Sequence, residues 1–177
     1  MQASGDFWVF GYGSLMWDPG FAFEDVRTAR LDGYHRSFCI YSHHYRGTPE
    51  KPGLVLGLRS GGYCIGRAFL VAEKNGEDVL AYLHEREMTS YVYRPARLCI
   101  EVEGKPVEAQ TYIADEQHPQ YACGLTLEAT ARLILSGRGR RGPNVDYLEN
   151  TVAHLEEMGV AEPELVELRD LVRKLAA

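Results

Sequence analysis

The hydrophobic pattern of this chain is strand-like first and helix-like last, and that order limits the folds open to it. The runs DFWVFGYG, YHRSFCIYS, GLVLGLR and YCIGRAFLV are rich in β-branched and aromatic residues and are parted by Gly and Pro clusters, as strands are. Helical spacing then takes over in NGEDVLAYLHERE, predicting a helix over about residues 76–88 with Asn75 as its cap and Glu77 and Asp78 at its positive end. ARLCIEVEG and PVEAQTYIA predict a β-hairpin around Gly104. The last third is helical. Thr126 is the expected cap of LEATARLILSG, which stops at Gly137, and Asn144 that of VDYLENTVAHLEEMG with its stripe of Leu148, Val152 and Leu155. Pro163 opens a helix whose Leu165, Leu168, Val172 and Leu175 recur at helical spacing. Strands first and helices last, without βαβ alternation, predict an α+β fold with a mixed or antiparallel sheet. A chain of 177 residues is enough for one domain with a real core, so a single domain over residues 1–177 is expected.

Charge and composition narrow the partners. A net charge of -6 offers no general basic surface, so neither nucleic acid nor an anionic membrane is an expected partner. No apolar run approaches the roughly 18 residues of a membrane span. The opening MQASGDF lacks the basic and apolar regions of a signal peptide, which makes a cytoplasmic protein the expectation. Cys39, Cys64, Cys99 and Cys123 are far apart with no CxxC pair, and the first three have apolar, strand-like flanks, so buried free thiols are expected. His43 and His44 are adjacent and on a strand would face opposite ways, which does not suit a shared metal.

Three segments carry residues suited to chemistry. In FGYGSL the strand should end near Phe10, because Gly11 and Gly13 free the backbone to turn. Such a turn either serves geometry alone or brings successive N–H groups together as a cradle for a carboxylate or a developing oxyanion. The second candidate is Glu87, which falls on the apolar stripe of its helix with Leu83, Leu80 and Val79, whereas Glu85 lies about 200° around the helix and should meet solvent. A carboxylate on an apolar stripe is costly unless paired or used, and burial raises a carboxylate toward the range of a general base. Glu87 is therefore either a working base or the partner of an arginine such as Arg94 or Arg97. The third is SGRGRRGPNVDYL, residues 136–148, whose arginines form a solvated loop or attract an acidic substrate, and whose Tyr147 is either core or a hydroxyl lining a pocket. His43, Tyr45 and Arg46 in SHHYRGT offer further polar contacts or lie in solvent. No P-loop and no GxGxxG opening a helix is present, so no nucleotide cofactor is indicated. Ser14 is not in a GxSxG context, which argues against a hydrolase nucleophile.

Taken together these blocks resemble the ChaC family of γ-glutamylcyclotransferases, enzymes that act on glutathione. WVFGYGSLMW matches the family's N-terminal signature, GYHRSF and HYRGT its next blocks, REM the segment holding its catalytic glutamate, and GRGRRGPNVDYL its late Asn-x-x-Tyr-Leu segment. After REM the chain reads TSYVYRP, as in bacterial members, where eukaryotic members carry a Gly-Gly-Tyr stretch. The resemblance implies a small mixed β-barrel with helices packed around it. It places the substrate-binding loop on Val9, Phe10, Gly11, Tyr12, Gly13, Ser14 and Leu15, adds Tyr147 to the substrate-binding residues, and puts the catalytic glutamate on Glu87. It implies cleavage of glutathione to 5-oxoproline and cysteinylglycine, so the expected partner is a small molecule; the oligomeric state is left open. Other γ-glutamyl amides as substrates, or a cavity that binds without catalysis, are the alternatives. Neither a metal nor an organic cofactor is expected, because a γ-glutamyl amide carries its own nucleophile in the α-amine.

Overall fold

A computed structural model describes residues 5–177. The first residues of MQASGDF, on which the expectation of no leader partly rests, lie outside them. The elements run β1 (Phe7–Gly11), a 3₁₀ turn (Ser14–Met16), β2 (Asp25–Ser42), β3 (Gly53–Val71), α1 (Gly76–Glu87), β4 (Tyr93–Val102), β5 (Lys105–Ala114), α2 (Leu127–Ser136), the short pair β6 (Arg138–Gly139) and β7 (Gly142–Pro143), α3 (Asn144–Glu157) and α4 (Pro163–Ala176). Five strands close a barrel in the order β1-β3-β2-β4-β5. It is mixed, because β1 runs antiparallel to β3 but parallel to β5. The α+β fold with a barrel and a helical last third is thus as expected.

The chain forms two compact units, one of residues 5–37 with Gly57–His118, the other of Phe38–Leu56 with Pro119–Ala177. In the first unit, β1 is short but buried on both faces. Val9, facing one way, joins Phe69, Val71, Val79, Leu83, Leu15 and Tyr112 in an apolar cluster against α1. Phe10, facing the other, is fully buried in β1. Each such side chain withdrawn from water contributes about 1.5–3 kcal/mol, which fixes α1 by its Val79 and Leu83 stripe. β4 and β5 form a hairpin whose two-residue turn, Glu103 and Gly104, has positive φ at both positions (51° and 77°), the twist that suits the flanking strands.

Two expectations about strands need correction. GLVLGLR and YCIGRAFLV are one strand, and β2 begins nine residues before YHRSFCIYS. Gly61 and Gly62, at φ of 101° and 67°, kink β3 without ending it, and the His35 ring nitrogen lies 2.9 Å from the Gly61 carbonyl across the neighbouring strand. Cys39 and Cys64 are buried thiols as expected, but Cys99 and Cys123 are exposed. Cys99 sits on the outward side of β4, next to the buried Ile100.

In the second unit Thr126 caps α2 by accepting the Ala129 N–H at 3.1 Å, and Pro163 occupies the first turn of α4. Leu148, Val152, Leu155, Leu165, Leu168 and Val172 are buried as their spacing predicts. No helix among the described residues is long and apolar enough to cross a membrane.

Candidate active site

The loop after β1 is shaped by close approach. A Cβ on Gly11 would lie 2.9 Å from Leu15 Cβ, so the chain can fold back into its 3₁₀ turn only over a glycine. Gly66 of β3 meets the same constraint from the other side, since a Cβ there would strike the Gly11 carbonyl and the Phe10 ring. The turn itself is tied by Met16 N–H to Gly13 O at 2.9 Å and by Asp18 N–H to Ser14 O at 2.8 Å. Val9 and Phe10 are strand residues with no exposed surface, so they carry the loop rather than present side chains. Tyr12, Gly13 and Leu15 are also buried, and Ser14 is the residue of 11–16 that remains partly exposed.

Three arginines grip this loop by its oxygens. Buried Arg36, from the GYHRSF block, donates from Nε to Tyr12 O and from Nη2 to Ile65 O, both at 2.6 Å, and reaches Met16 Sδ at 3.6 Å. Arg67 donates to Met16 O at 3.2 Å. Arg86, on α1, donates from Nη1 to Asp18 O (2.7 Å), Pro19 O (3.2 Å) and Tyr82 Oη (3.0 Å), and from Nη2 to Ser14 Oγ at 2.8 Å. Gly20, at φ 73°, is what lets the following chain lie against the Tyr82 hydroxyl. A guanidinium has five donors and no acceptor in a rigid fork, so it sets the positions of several oxygens at once. The sequence does not single out any of the three arginines: GYHRSF and REM stand out as blocks, but the loop atoms that these arginines hold lie 20 to 72 positions away.

Glu87 is where the helical count put it. Its side chain is 17% exposed on the face of Val79 and Leu83, while Glu85 is exposed. It forms an ion pair with Arg86, whose Nε is 3.8 Å from Oε1 and whose side chain is only 8% exposed. Arg97, one of the two arginines expected as a partner, instead pairs with Glu108. Tyr112 on β5 faces the same cluster, and its hydroxyl is pushed up to about 12, first by burial and then by the negative charge of Glu87. The phenol is therefore a neutral donor in any ordinary buffer. The site brings together a shielded carboxylate, a cationic fork, a buried phenol and a loop several of whose carbonyls accept from arginines. Such a set suits proton transfer and the holding of a polar substrate. Among the described residues no group of three or more His, Cys, Asp and Glu side chains is gathered as for a metal ion.

The late blocks have structural work in the second unit. Asn144 does not cap α3; Pro143 holds that position. Fully buried Asn144 accepts the Leu54 N–H at 2.7 Å and donates to Leu54 O at 2.8 Å, serving β3 as a strand neighbour would. Gly137 does end α2, with extended backbone, and close approach is what requires the glycine: a Cβ there would be 2.6 Å from Arg46 O and 2.9 Å from Gly53 Cα. The SHHYRGT loop is stitched to the GRGRRG loop: Arg140 and Arg141 N–H donate to His44 O and Tyr45 O (2.8 and 3.0 Å), and Arg46 Nη1 donates to Arg141 O and Pro143 O (2.8 and 3.0 Å). Tyr147 is buried here, with Phe38 edge-on to its ring at 5.8 Å and its hydroxyl accepting the Leu56 N–H at 3.4 Å.

Comparison with known proteins agrees with this architecture. A glutathione-specific γ-glutamylcyclotransferase of Escherichia coli is 36% identical over 98% of this chain and 75% of its own. Human glutathione-specific γ-glutamylcyclotransferase 1 is 35% identical over 80% of this chain and 66% of its own. A crystal structure of a yeast γ-glutamyl cyclotransferase specific to glutathione superposes with a TM-score of 0.90 over 97% of both chains at 21% identity, a likeness of fold. With residues 7–175 matching the family's sequence pattern, the chain belongs to the ChaC-like protein family.

Proposed function

We infer that this protein is a γ-glutamylcyclotransferase that cleaves glutathione to 5-oxoproline and cysteinylglycine. The observation that carries the mechanism is Glu87: a carboxylate largely shielded from water, on the apolar face of α1, whose helix is held to the 11–19 loop by Arg86. The relatives' names supply the substrate class, and the site supplies the means.

The α-amine of the γ-glutamyl group attacks its own γ-carbonyl, closing a five-membered ring. The new bond joins the α-nitrogen to the γ-carbonyl carbon, and the bond broken is the one from that carbon to the cysteinyl nitrogen. At neutral pH the amine is mostly an ammonium ion and cannot attack until it loses a proton. Between ammonium and ring amide the attacking nitrogen sheds two protons, and between amide and ammonium the departing nitrogen gains two; Glu87 takes each in turn and the resulting carboxylic acid hands it on, so no net proton is consumed. Folding the substrate into attack geometry is an entropic problem, and a preformed loop reduces it. The segment Val9–Leu15 is assigned to holding the γ-glutamyl group, its backbone N–H groups facing either the substrate carboxylate or the oxyanion formed at the γ-carbon.

The test is Glu87→Gln, which keeps the shape and one acceptor oxygen but not basicity. We expect kcat for 5-oxoproline release to fall by about 10²–10⁴-fold with KM for glutathione little changed. Near-normal turnover would remove Glu87 from the mechanism. Parallel incubation with γ-glutamyl-alanine decides between a glutathione enzyme and a broader γ-glutamyl amide enzyme.

A further inference from the structure

We propose that Arg86 is a positioning residue of this reaction, holding the Ser14 oxygen as an acceptor so that the Ser14 O–H is presented to the γ-glutamyl group as an oriented donor. The proposal rests on the cyclotransferase reading. A guanidinium can only donate, so the 2.8 Å contact from Arg86 Nη2 occupies a lone pair of Ser14 Oγ and turns its proton elsewhere. Among the described residues no acceptor takes that proton, and Ser14 is the partly exposed residue of an otherwise buried stretch, Gly11–Met16. A hydroxyl accepting from a cation is also a better donor through polarisation.

The rest of the Arg86 fork explains why this orientation is fixed. Nη1 is committed to Asp18 O, Pro19 O and Tyr82 Oη, two of them in the chain that follows the turn, and Nε faces Glu87 at 3.8 Å. One side chain therefore sets the serine, the loop and the carboxylate in a single frame anchored on α1. An error in that frame misplaces donor and base together, which is costly when reacting atoms must meet within tenths of an ångström. Lysine would keep the charge near Glu87 but has no planar fork to span these oxygens.

A double-mutant cycle of Ser14→Ala and Arg86→Gln, with kcat and KM measured on glutathione, tests the idea. Ser14→Ala should lose a few-fold in kcat/KM, and Arg86→Gln about tenfold or more, mostly in kcat. The double variant should be no slower than Arg86→Gln alone, since the serine donates usefully only while the arginine orients it. Arg86→Lys should be impaired almost as much as Arg86→Gln, and it carries the same cycle if the glutamine variant does not fold by circular dichroism. Losses that multiply in the double variant, or an Arg86 variant within twofold of wild type, overturn the proposal. Wild-type release of 5-oxoproline is measured alongside. Its absence removes the cyclotransferase reading and this inference with it, whereas multiplying losses in an active enzyme remove this inference only.

Discussion

The phenol of Tyr112 is a titratable group held almost wholly out of water. Removed from solvent among Val9, Phe69 and Leu83, and facing the charge of Glu87, it resists ionisation until about pH 12 instead of about pH 10. The folded protein thus holds this proton more tightly than the unfolded chain. A raised native value contributes stability that is fully present below the unfolded value near pH 10 and is lost as pH rises toward 12. Urea unfolding of wild type and Tyr112→Phe at pH 9 and near pH 12 should therefore differ in one respect: the wild type loses up to about 2 kcal/mol more than the variant over that interval. An equal loss in both would mean that Glu87 and burial do not act on this hydroxyl. At neutral pH the same substitution keeps the ring but deletes a donor, so its effect on kcat measures what the phenol adds to turnover.

At the scale of elements, the contacts that hold the two long strands come from far away in sequence. Asn144, on the first turn of α3, satisfies both backbone groups of Leu54 with bonds of 2.7 and 2.8 Å. Asn144→Ala would leave a buried N–H and a buried C=O without partners, at about 1–3 kcal/mol each. We expect a loss of about 2–4 kcal/mol in urea unfolding with an unchanged m-value, and a loss below 0.5 kcal/mol would show that water replaces the amide. The same residue shows where sequence reading stops. Asn before a helical run has the pattern of a cap, and its pairing with a strand 90 positions away leaves no local mark. Asn75 failed as a cap for another reason: a 3₁₀ turn at Glu73–Asn75 runs straight into α1, so Asn75 is in helical rather than extended backbone and its side chain caps nothing. Gly61 and Gly62 read as a strand break and are a kink. What was legible followed from periodicity and turn residues: the inward Glu87, the stripes of α3 and α4, and the hairpin turn at Gly104. Arg36 and Arg86 were not, because most of their partners lie 20 or more positions away and several are backbone oxygens, which any residue offers.

For the whole molecule, the decisive question is whether the substrate attacks itself. A hydrolase and a cyclotransferase both break the γ-glutamyl bond, but only the second uses the substrate's α-amine. The Arg86 contact bears on the difference: an Oγ already engaged by a cationic donor at 2.8 Å, with no histidine hydrogen-bonded to it among the described residues, is a poor nucleophile but a good donor. Glutathione acylated on the α-nitrogen keeps its γ-amide and cysteinylglycine portion and loses only the attacking amine. The expected outcome is no release of cysteinylglycine from this analogue, together with competitive inhibition of glutathione turnover where the acyl group is small. Release of cysteinylglycine from the acylated compound would require water or Ser14 to attack, and would move Glu87 from the base for an amine to the base for an external nucleophile. Mass analysis of the glutathione reaction gives the complementary reading, since ring closure yields 5-oxoproline whereas attack by water yields glutamate, 18 mass units heavier by simple stoichiometry (about one water). On the proposed mechanism a frame of one loop, one helix and three arginines positions a substrate that attacks itself and supplies no nucleophile, and the acylated substrate tests that directly.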